Sequence, residues 1–175
     1  FIMTSIANQK LNVAVICGGN SAEFDISVES GRVVIASLDR KKYRPFLIII
    51  KGLIWRYTDE DGVDHPINKN DFSLQLETEK IQFDVVFNAI HGSPGEDGML
   101  LGYLDLLKIP YTSSNHVVAA STFNKNICKQ VVKSSGVALA DSILLHKGDY
   151  FEERFIVEHL GLPLFVKPNS GGSSV

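Results

Sequence analysis

Short apolar runs alternate along the chain with segments whose apolar residues recur at helical spacing. Residues 11–17 read LNVAVIC and end at two glycines, as expected for a strand buried on both faces. Apolar residues at helical spacing then begin at Val28, and Ser27 is available as the N-cap of that predicted helix. A second apolar run spans residues 46–50. Strand, helix and strand within about 40 residues are typical of a βαβ unit and predict a parallel sheet.

The pattern continues with an excursion and a further strand and helix. Trp55 and Tyr57 lie at alternate positions ahead of an Asp-Gly turn, which indicates a hairpin at the edge of the sheet. A strand is predicted over residues 83–90, and a helix with apolar residues on one face follows near residues 99–107. We therefore predict an α/β fold with an open, parallel, Rossmann-like sheet.

The remaining residues predict a second group of elements. A short strand is expected at residues 109–112, followed by a helix over residues 116–134. Strands over residues 137–145 and 163–167 are expected on either side of a helix at residues 149–160.

We place the domain boundary after Ser114. Residues 3–114 would form the first domain, and residues 115–175 would form part of a second domain that stops within a Gly/Ser loop.

Composition and charge exclude several classes of protein. With 45% hydrophobic residues, the 175-residue chain can bury a core, and its net charge of −3 gives no reason to expect nucleic acid or an anionic membrane as partner. No apolar run approaches the roughly 18 residues of a membrane span. Cys17 and Cys128 lack the CxxC spacing of a redox or zinc site and are expected to be small core residues. A cytoplasmic location is expected.

Three loops beyond predicted strand ends carry candidate chemistry, because ligands of open parallel sheets bind there. The first, CGGNSAEFDIS, places Glu23 immediately before a helix N-terminus. This carboxylate either binds an amine or is a solvated loop glutamate near a positive helix end.

The second loop is AIHGSPGEDGML. Gly92 and the glycines that follow it permit positive φ and backbone contact with a ligand. His91, at the strand end, either takes part in binding or is a structural group. Glu96 and Asp97 are expected first to cap the next helix and only secondarily to contact a substrate.

The third loop, in LFVKPNSGGSSV, follows a lysine at a strand end. Lys167 can neutralise phosphate charge, while the backbone around Gly172, Ser173 and Ser174 cradles phosphate oxygens, so ATP is the natural candidate ligand. The lysine precedes the glycines, which disfavours a Walker-type NTPase. A plain hairpin tip is the alternative. Lys125 is either a second phosphate contact or an ordinary surface lysine.

Together the segments VAVICGGNSAE, AIHGSPGEDG, IPYTSS and VKPNSGGSSV resemble the D-alanine:D-alanine ligase family, in this order and over nearly the whole chain. The resemblance implies the amino-terminal part of an enzyme of the ATP-grasp superfamily: a pre-ATP-grasp domain followed by the start of the central domain. Such ligases use ATP to join two D-alanines through an acyl phosphate. The dipeptide is a precursor of peptidoglycan, on which the cell wall and cell shape depend.

The resemblance also implies roles for individual residues. Glu23 would bind the ammonium of the first D-alanine and act in catalysis together with Ser173, which would connect to it by hydrogen bonding. His91 and Gly92 would lie near the same substrate. Contacts to ATP would come from the lysines and the Gly/Ser loop: Lys125, Lys167, Gly172, Ser173 and Ser174. One departure is Asn124, where the family commonly has Asp; asparagine still caps a helix but carries no charge.

The implied cofactors are ATP and Mg²⁺, with Mn²⁺ as a substitute, and the implied assembly is a homodimer. The metal ligands and a transition-state arginine are expected beyond Val175, so residues 1–175 alone are not expected to catalyse ligation. Two alternatives stay open. One is a non-catalytic nucleotide-binding domain of the same fold, and the other is a different ATP-grasp carboxylate-amine ligase, such as one that accepts D-lactate.

Overall fold

The computed structural model describes residues 10–171. They divide into two compact units, one ending at Ala120 and the other beginning at Ser121. The domain boundary that we place after Ser114 stays a prediction.

All eight strands of the described residues lie in the first unit, and only helices follow the last strand. The strands are β1 (Leu11–Gly18), β2 (Tyr43–Lys51), β3 (Ile54–Thr58), β4 (Asp64–Asn68), β5 (Ser73–Gln75), β6 (Lys80–Ile81), β7 (Val85–Asn88) and β8 (Tyr111–Thr112). The helices are α1 (Phe24–Ser37), α2 (Met99–Leu106), α3 (His116–Phe123), α4 (Lys125–Lys133) and α5 (Glu153–Leu160).

Within the described residues the strands form one mixed sheet in the order β6-β5-β4-β3-β2-β1-β7-β8. Strands β2, β1, β7 and β8 are parallel, which confirms the predicted α/β fold and its βαβ unit. The predicted hairpin near Trp55 is also confirmed, but it extends further than expected: β3 to β6 add four antiparallel strands. Short connections allow only an antiparallel return, so this half of the sheet cannot be parallel.

Strand β1 is buried on both faces, as its continuous apolar run predicts. Ala14 and Ile16 belong to a core in which Leu100 and Leu104 of α2 are also buried. On α1, the side facing the strands includes Gly31, where an added Cβ would lie only 2.9 Å from the Cβ of Cys17. The close approach of helix and strand therefore depends on this glycine.

The second unit departs from the prediction in two respects. The helix expected over residues 116–134 is divided into α3 and α4 at Asn124, which has extended backbone and accepts a hydrogen bond from the Ile127 amide as the N-cap of α4. The strands expected over residues 137–145 and 163–167 are not present among the described residues. A strand forms by pairing, and no neighbour pairs with either segment. The helix expected at residues 149–160 is confirmed and begins at Glu153.

Between residues 10 and 171, every helix is too short or too polar to cross a bilayer.

Two helical glycines should respond oppositely to an added methyl group. We expect Gly31→Ala to destabilise the protein by about 1–3 kcal/mol, because the methyl overpacks the contact with Cys17 and Leu47. Gly102→Ala is the matched control: its Cβ would meet only His116 at 3.9 Å, and alanine favours a helix by about 0.5–1 kcal/mol. Urea unfolding measures both changes. Shifts of the same sign would contradict this account of α1 packing.

The two cysteines should differ in reactivity towards alkylating reagents. Cys17 is fully buried, as predicted, and burial raises its pKa to about 11. Cys128 is partly exposed, so the expectation that it is a core residue is wrong. We expect iodoacetamide at pH 8 to modify Cys128 in the native protein and Cys17 only after unfolding, as followed by peptide mass mapping. Equal native rates at the two thiols would show that β1 opens readily.

Candidate functional site

Two loops meet at the carboxyl ends of neighbouring parallel strands. Loop A (residues 19–23) connects β1 to α1, and loop B (residues 89–98) connects β7 to α2. Since β1 and β7 are paired, the sheet brings the loops together, as the sequence predicts. The Asn20 amide donates to the Ser93 carbonyl at 2.8 Å, and the Ser21 hydroxyl donates to the His91 carbonyl at 2.7 Å. The loops are therefore fixed to each other by one backbone–backbone bond and one side chain–backbone bond.

Glu23 occupies the N-cap position of α1 and is only 9% exposed. Its backbone is held on both sides: the amide donates to the Ser21 hydroxyl at 3.2 Å, and the carbonyl accepts from the Ser27 amide at 2.9 Å. The side chain does not cap the helix, and its carboxylate has no hydrogen-bond partner among residues 10–171. The residue as a whole is buried, and its carboxylate is near the positive end of a helix, where it suits an ammonium ligand. The role of Glu23 in binding stays a prediction.

Ser27 has a different role from the predicted one. Helix α1 begins at Phe24, four residues earlier than the apolar spacing suggests, so Ser27 lies inside its first turns and is not the N-cap. Its fully buried hydroxyl accepts from the Gly18 amide at 2.8 Å and donates to the Ala89 carbonyl at 2.8 Å. A single side chain thus satisfies a backbone group at the end of each of the two strands.

His91 is half-buried in loop B. Its carbonyl accepts from Ser21, and its ring Nε2 lies 3.3 Å from the hydroxyl of Ser30 on α1. The backbone and the ring of this histidine are thus both held by serines of the segment that carries Glu23. The structure brings His91 and Glu23 into one hydrogen-bonded arrangement.

The glycines of the two loops serve mainly to let the loops pack together. Gly92 has φ +78°, and an added Cβ would lie 2.8 Å from the Cβ of Ser21. At Gly19, with φ +99°, an added Cβ would lie 2.7 Å from Cγ2 of Ile90. The Gly92 amide donates to the Glu96 carboxylate at 2.6 Å. The space above these glycines is therefore filled by the protein itself.

The two acidic residues of loop B act on the backbone. Asp97 accepts from the amide of Met99, the first residue of α2, at 3.1 Å, which agrees with the predicted capping role. Glu96 does not reach the helix and instead closes loop B onto Gly92.

In the second unit, the N-terminus of α4 meets the segment that leads into the Gly/Ser loop. Lys125 is the first residue of α4; its amide donates to the Asn169 carbonyl at 2.8 Å and its ammonium to the Gly171 carbonyl at 3.3 Å. The Asn126 amide donates to the Asn169 side chain at 2.9 Å. A lysine and a Gly/Ser segment are thereby combined at a helix N-terminus. The first amides of α4 are bonded to Asn169 and Asn124, so the lysine ammonium is the group that suits phosphate.

Of the other predicted ATP contacts, the structure describes only Lys167. Lys167 is exposed and follows Phe165 and Val166, which are 92% and 98% exposed. Gly172, Ser173 and Ser174 lie outside the described residues, so the predicted link between Ser173 and Glu23 stays a prediction. Among residues 10–171, no group of three or more His, Cys, Asp or Glu side chains is arranged to hold a metal ion.

Sequence reasoning did not single out Ser21 or Ser30. A signal for Ser30 is present, because Glu23, Ser27 and Ser30 are spaced four and three residues apart and so share one face of a helix. Polar residues on the face that packs against a sheet indicate hydrogen bonding to the strand ends. No comparable pattern marks Ser21, whose contact with loop B depends on the fold.

One family model matches more than half of the chain. Residues 12–114 match the family model described as the D-ala D-ala ligase N-terminus. A curated relative from Flavobacterium johnsoniae, named D-alanine--D-alanine ligase, is 47% identical over 163 residues, which are 93% of this chain and 50% of the relative. The chain spans about half the length of the curated relatives it matches.

Solved structures show the same similarity. The D-alanine-D-alanine ligase from Coxiella burnetii superposes with a TM-score of 0.81 at 31% identity, over 95% of this chain and 53% of that one. A D-alanine--D-alanine ligase from Bacillus anthracis, solved in complex with ATP, gives a TM-score of 0.71 at 33% identity, over 92% of this chain and 48% of that one.

Removing the Ser27 hydroxyl should destabilise the site. We expect Ser27→Ala to lower the free energy of unfolding by about 1–3 kcal/mol, because the buried Gly18 amide loses its acceptor. Ser37→Ala on the same helix is the control: the Ser37 hydroxyl bonds only the Val33 carbonyl on an exposed face, so a change within about 0.5 kcal/mol is expected. Urea unfolding compares the two. Equal losses would refute the bridging role.

Proposed function

Because the chain belongs to the D-alanine–D-alanine ligase family, we propose that the protein joins two D-alanines at the expense of ATP, to supply the dipeptide for peptidoglycan. The observation that carries the proposal is the junction of loops A and B, where the Ser21 hydroxyl accepts from the Glu23 amide and donates to the His91 carbonyl, so that the two residues are held side by side. We further propose that the protein is a cytoplasmic homodimer.

The first D-alanine binds at this junction. Its ammonium pairs with Glu23, whose carboxylate lies near the positive end of α1 and lacks a partner among the described residues. The positive end of the helix keeps this carboxylate ionised, and an ionised carboxylate pairs with an ammonium. His91 lies against the same substrate. Gly92, placed next to it near the substrate, keeps loop B in shape by donating its amide hydrogen to Glu96.

ATP binds through the second unit. Lys125 at the N-terminus of α4, beside the Gly171 backbone, provides a cation for phosphate oxygens. Lys167, Gly172, Ser173 and Ser174 complete the phosphate contacts, and Ser173 orients the substrate by hydrogen bonding to Glu23. Mg²⁺ or Mn²⁺ supplies neutralising charge on the phosphates. Residues 10–171 contain no group of three or more carboxylate, histidine or cysteine side chains arranged to hold it.

The reaction requires little covalent chemistry from the chain. A carboxylate oxygen of the first D-alanine attacks the γ-phosphorus of ATP, and ADP leaves. The amine of the second D-alanine then attacks the acyl phosphate carbon, loses a proton, and phosphate leaves as the peptide bond forms. Both steps depend on holding the first D-alanine by its ammonium and on placing cations and donors around the transferred phosphoryl group. Glu23 supplies the first requirement, and Lys125 contributes to the second.

The decisive assay measures phosphate release by the natural full-length protein. We expect release with D-alanine but not with L-alanine; release that requires D-lactate together with D-alanine would identify a D-lactate-accepting relative. Glu23→Gln should lower kcat/KM for D-alanine on the order of 100-fold, because the proposed ion pair with the substrate ammonium is lost. Steady-state kinetics measure this change.

Glu29→Gln is the matched control, since Glu29 lies on the exposed side of α1 and pairs with Arg32. Its kcat/KM should equal that of the unmodified protein. If Glu23→Gln behaved like Glu29→Gln, Glu23 would not be the ammonium site. Nucleotide binding without D-alanine-dependent phosphate release would favour a non-catalytic binding domain.

A further inference from the structure

Ser30 forms two hydrogen-bonding contacts that differ in kind. Its hydroxyl lies 2.9 Å from the Ile26 carbonyl, one turn earlier on α1, and 3.3 Å from Nε2 of His91 in loop B. It is thus the point at which the helix after loop A contacts the ring of the histidine.

Counting protons determines the direction of the second contact. A serine hydroxyl has a single proton, and a backbone carbonyl can only accept, so that proton is directed to Ile26. The hydroxyl oxygen is then the acceptor towards His91, and the donor is Nε2–H. In neutral imidazole the other nitrogen, Nδ1, carries no proton and acts as an acceptor.

We propose that Ser30 is a positioning residue that fixes His91 in its Nε2–H tautomer, so that the ring offers Nδ1 as a hydrogen-bond acceptor to an N–H group of the ligand. This inference rests on the proposed function for the identity of that ligand. The matching ligand group is the ammonium of an amino acid. A carboxylate or phosphate oxygen has no proton to give Nδ1 and is disfavoured there while the ring is neutral.

Two serines thus divide the positioning of His91. Ser21 holds its backbone at 2.7 Å, and Ser30 holds the far nitrogen of its ring. Both serines belong to the stretch of chain that contains Glu23. A histidine held at both ends loses rotational freedom before the ligand binds, which lowers the cost of forming the complex.

The tautomer can be read directly by NMR on full-length protein labelled with ¹⁵N-histidine, at about pH 8.5 so that the rings are neutral. His91→Asn assigns the signals. We expect a pyrrole-type Nε2 and a pyridine-type Nδ1 for His91. Ser30→Ala should convert this pattern to a mixture of tautomers, and Ser30→Thr, which keeps the hydroxyl, should restore it.

Ser37→Ala is the matched control, because Ser37 also donates to a carbonyl four residues earlier on α1 but does not contact a histidine. It should leave the His91 signals unchanged. In steady-state kinetics, Ser30→Ala should raise KM for D-alanine roughly three- to tenfold with kcat little changed, as expected for one lost hydrogen bond. Ser30→Thr should return KM towards the original value.

An Nδ1–H tautomer in the unmodified protein would overturn the inference, and so would a Ser30→Ala spectrum identical to that of the unmodified protein. These readouts do not require turnover. If the tautomer responds as expected but D-alanine does not stimulate phosphate release, the proposed function fails and the role of Ser30 in fixing the tautomer stands. If phosphate release occurs and Ser30→Ala leaves the His91 tautomer unchanged, only the inference about Ser30 fails.

Discussion

The buried hydroxyl of Ser27 holds the carboxyl ends of β1 and β7 together, and the arrangement of the site depends on it. The Gly18 amide and the Ala89 carbonyl lie where the two strands end. Each needs a hydrogen-bond partner, because unpaired polar groups are costly in the interior. Ser27 satisfies one group on each strand with one side chain. Loops A and B therefore begin from fixed positions. Glu23 lies four residues before Ser27, so its position is fixed as well.

Much of this organisation is predictable from the sequence, because it follows from periodicity. The apolar run of β1 and the helical spacing after it predict a βαβ unit, and the ends of parallel strands predict where ligands bind. The resemblance to the ligase family identifies Glu23 and His91. What the sequence does not show is contact between distant residues. The roles of Ser21 and Ser27 depend on backbone groups 62 to 70 residues away, and no local pattern encodes such pairs.

In the second unit, predictions of strands from the sequence are wrong and the prediction of the last helix is confirmed. Residues 163–167 have the composition of a strand, yet composition alone does not form one, since a strand is stabilised by hydrogen bonds to a neighbour. Predictions that depend only on local interactions are confirmed. The helix that begins at Glu153 is present, and Asn124 acts as an N-cap although it carries no charge. That cap lets α4 begin at Lys125, so the cation and the helix amides occur together. Local chemistry is thus reliable even where long-range pairing is not.

The interlocked glycines have a consequence for how this site can change during evolution. Gly92 leaves room for Ser21, and Gly19 leaves room for Ile90, so each loop occupies volume that the other gives up. A larger residue in one loop must be compensated by a smaller one in the other. The two segments are therefore expected to vary in concert across homologues, and a library that randomises only one of them would sample mostly misfolded variants. Altering substrate selectivity here calls for exchanging both loops as a single cassette.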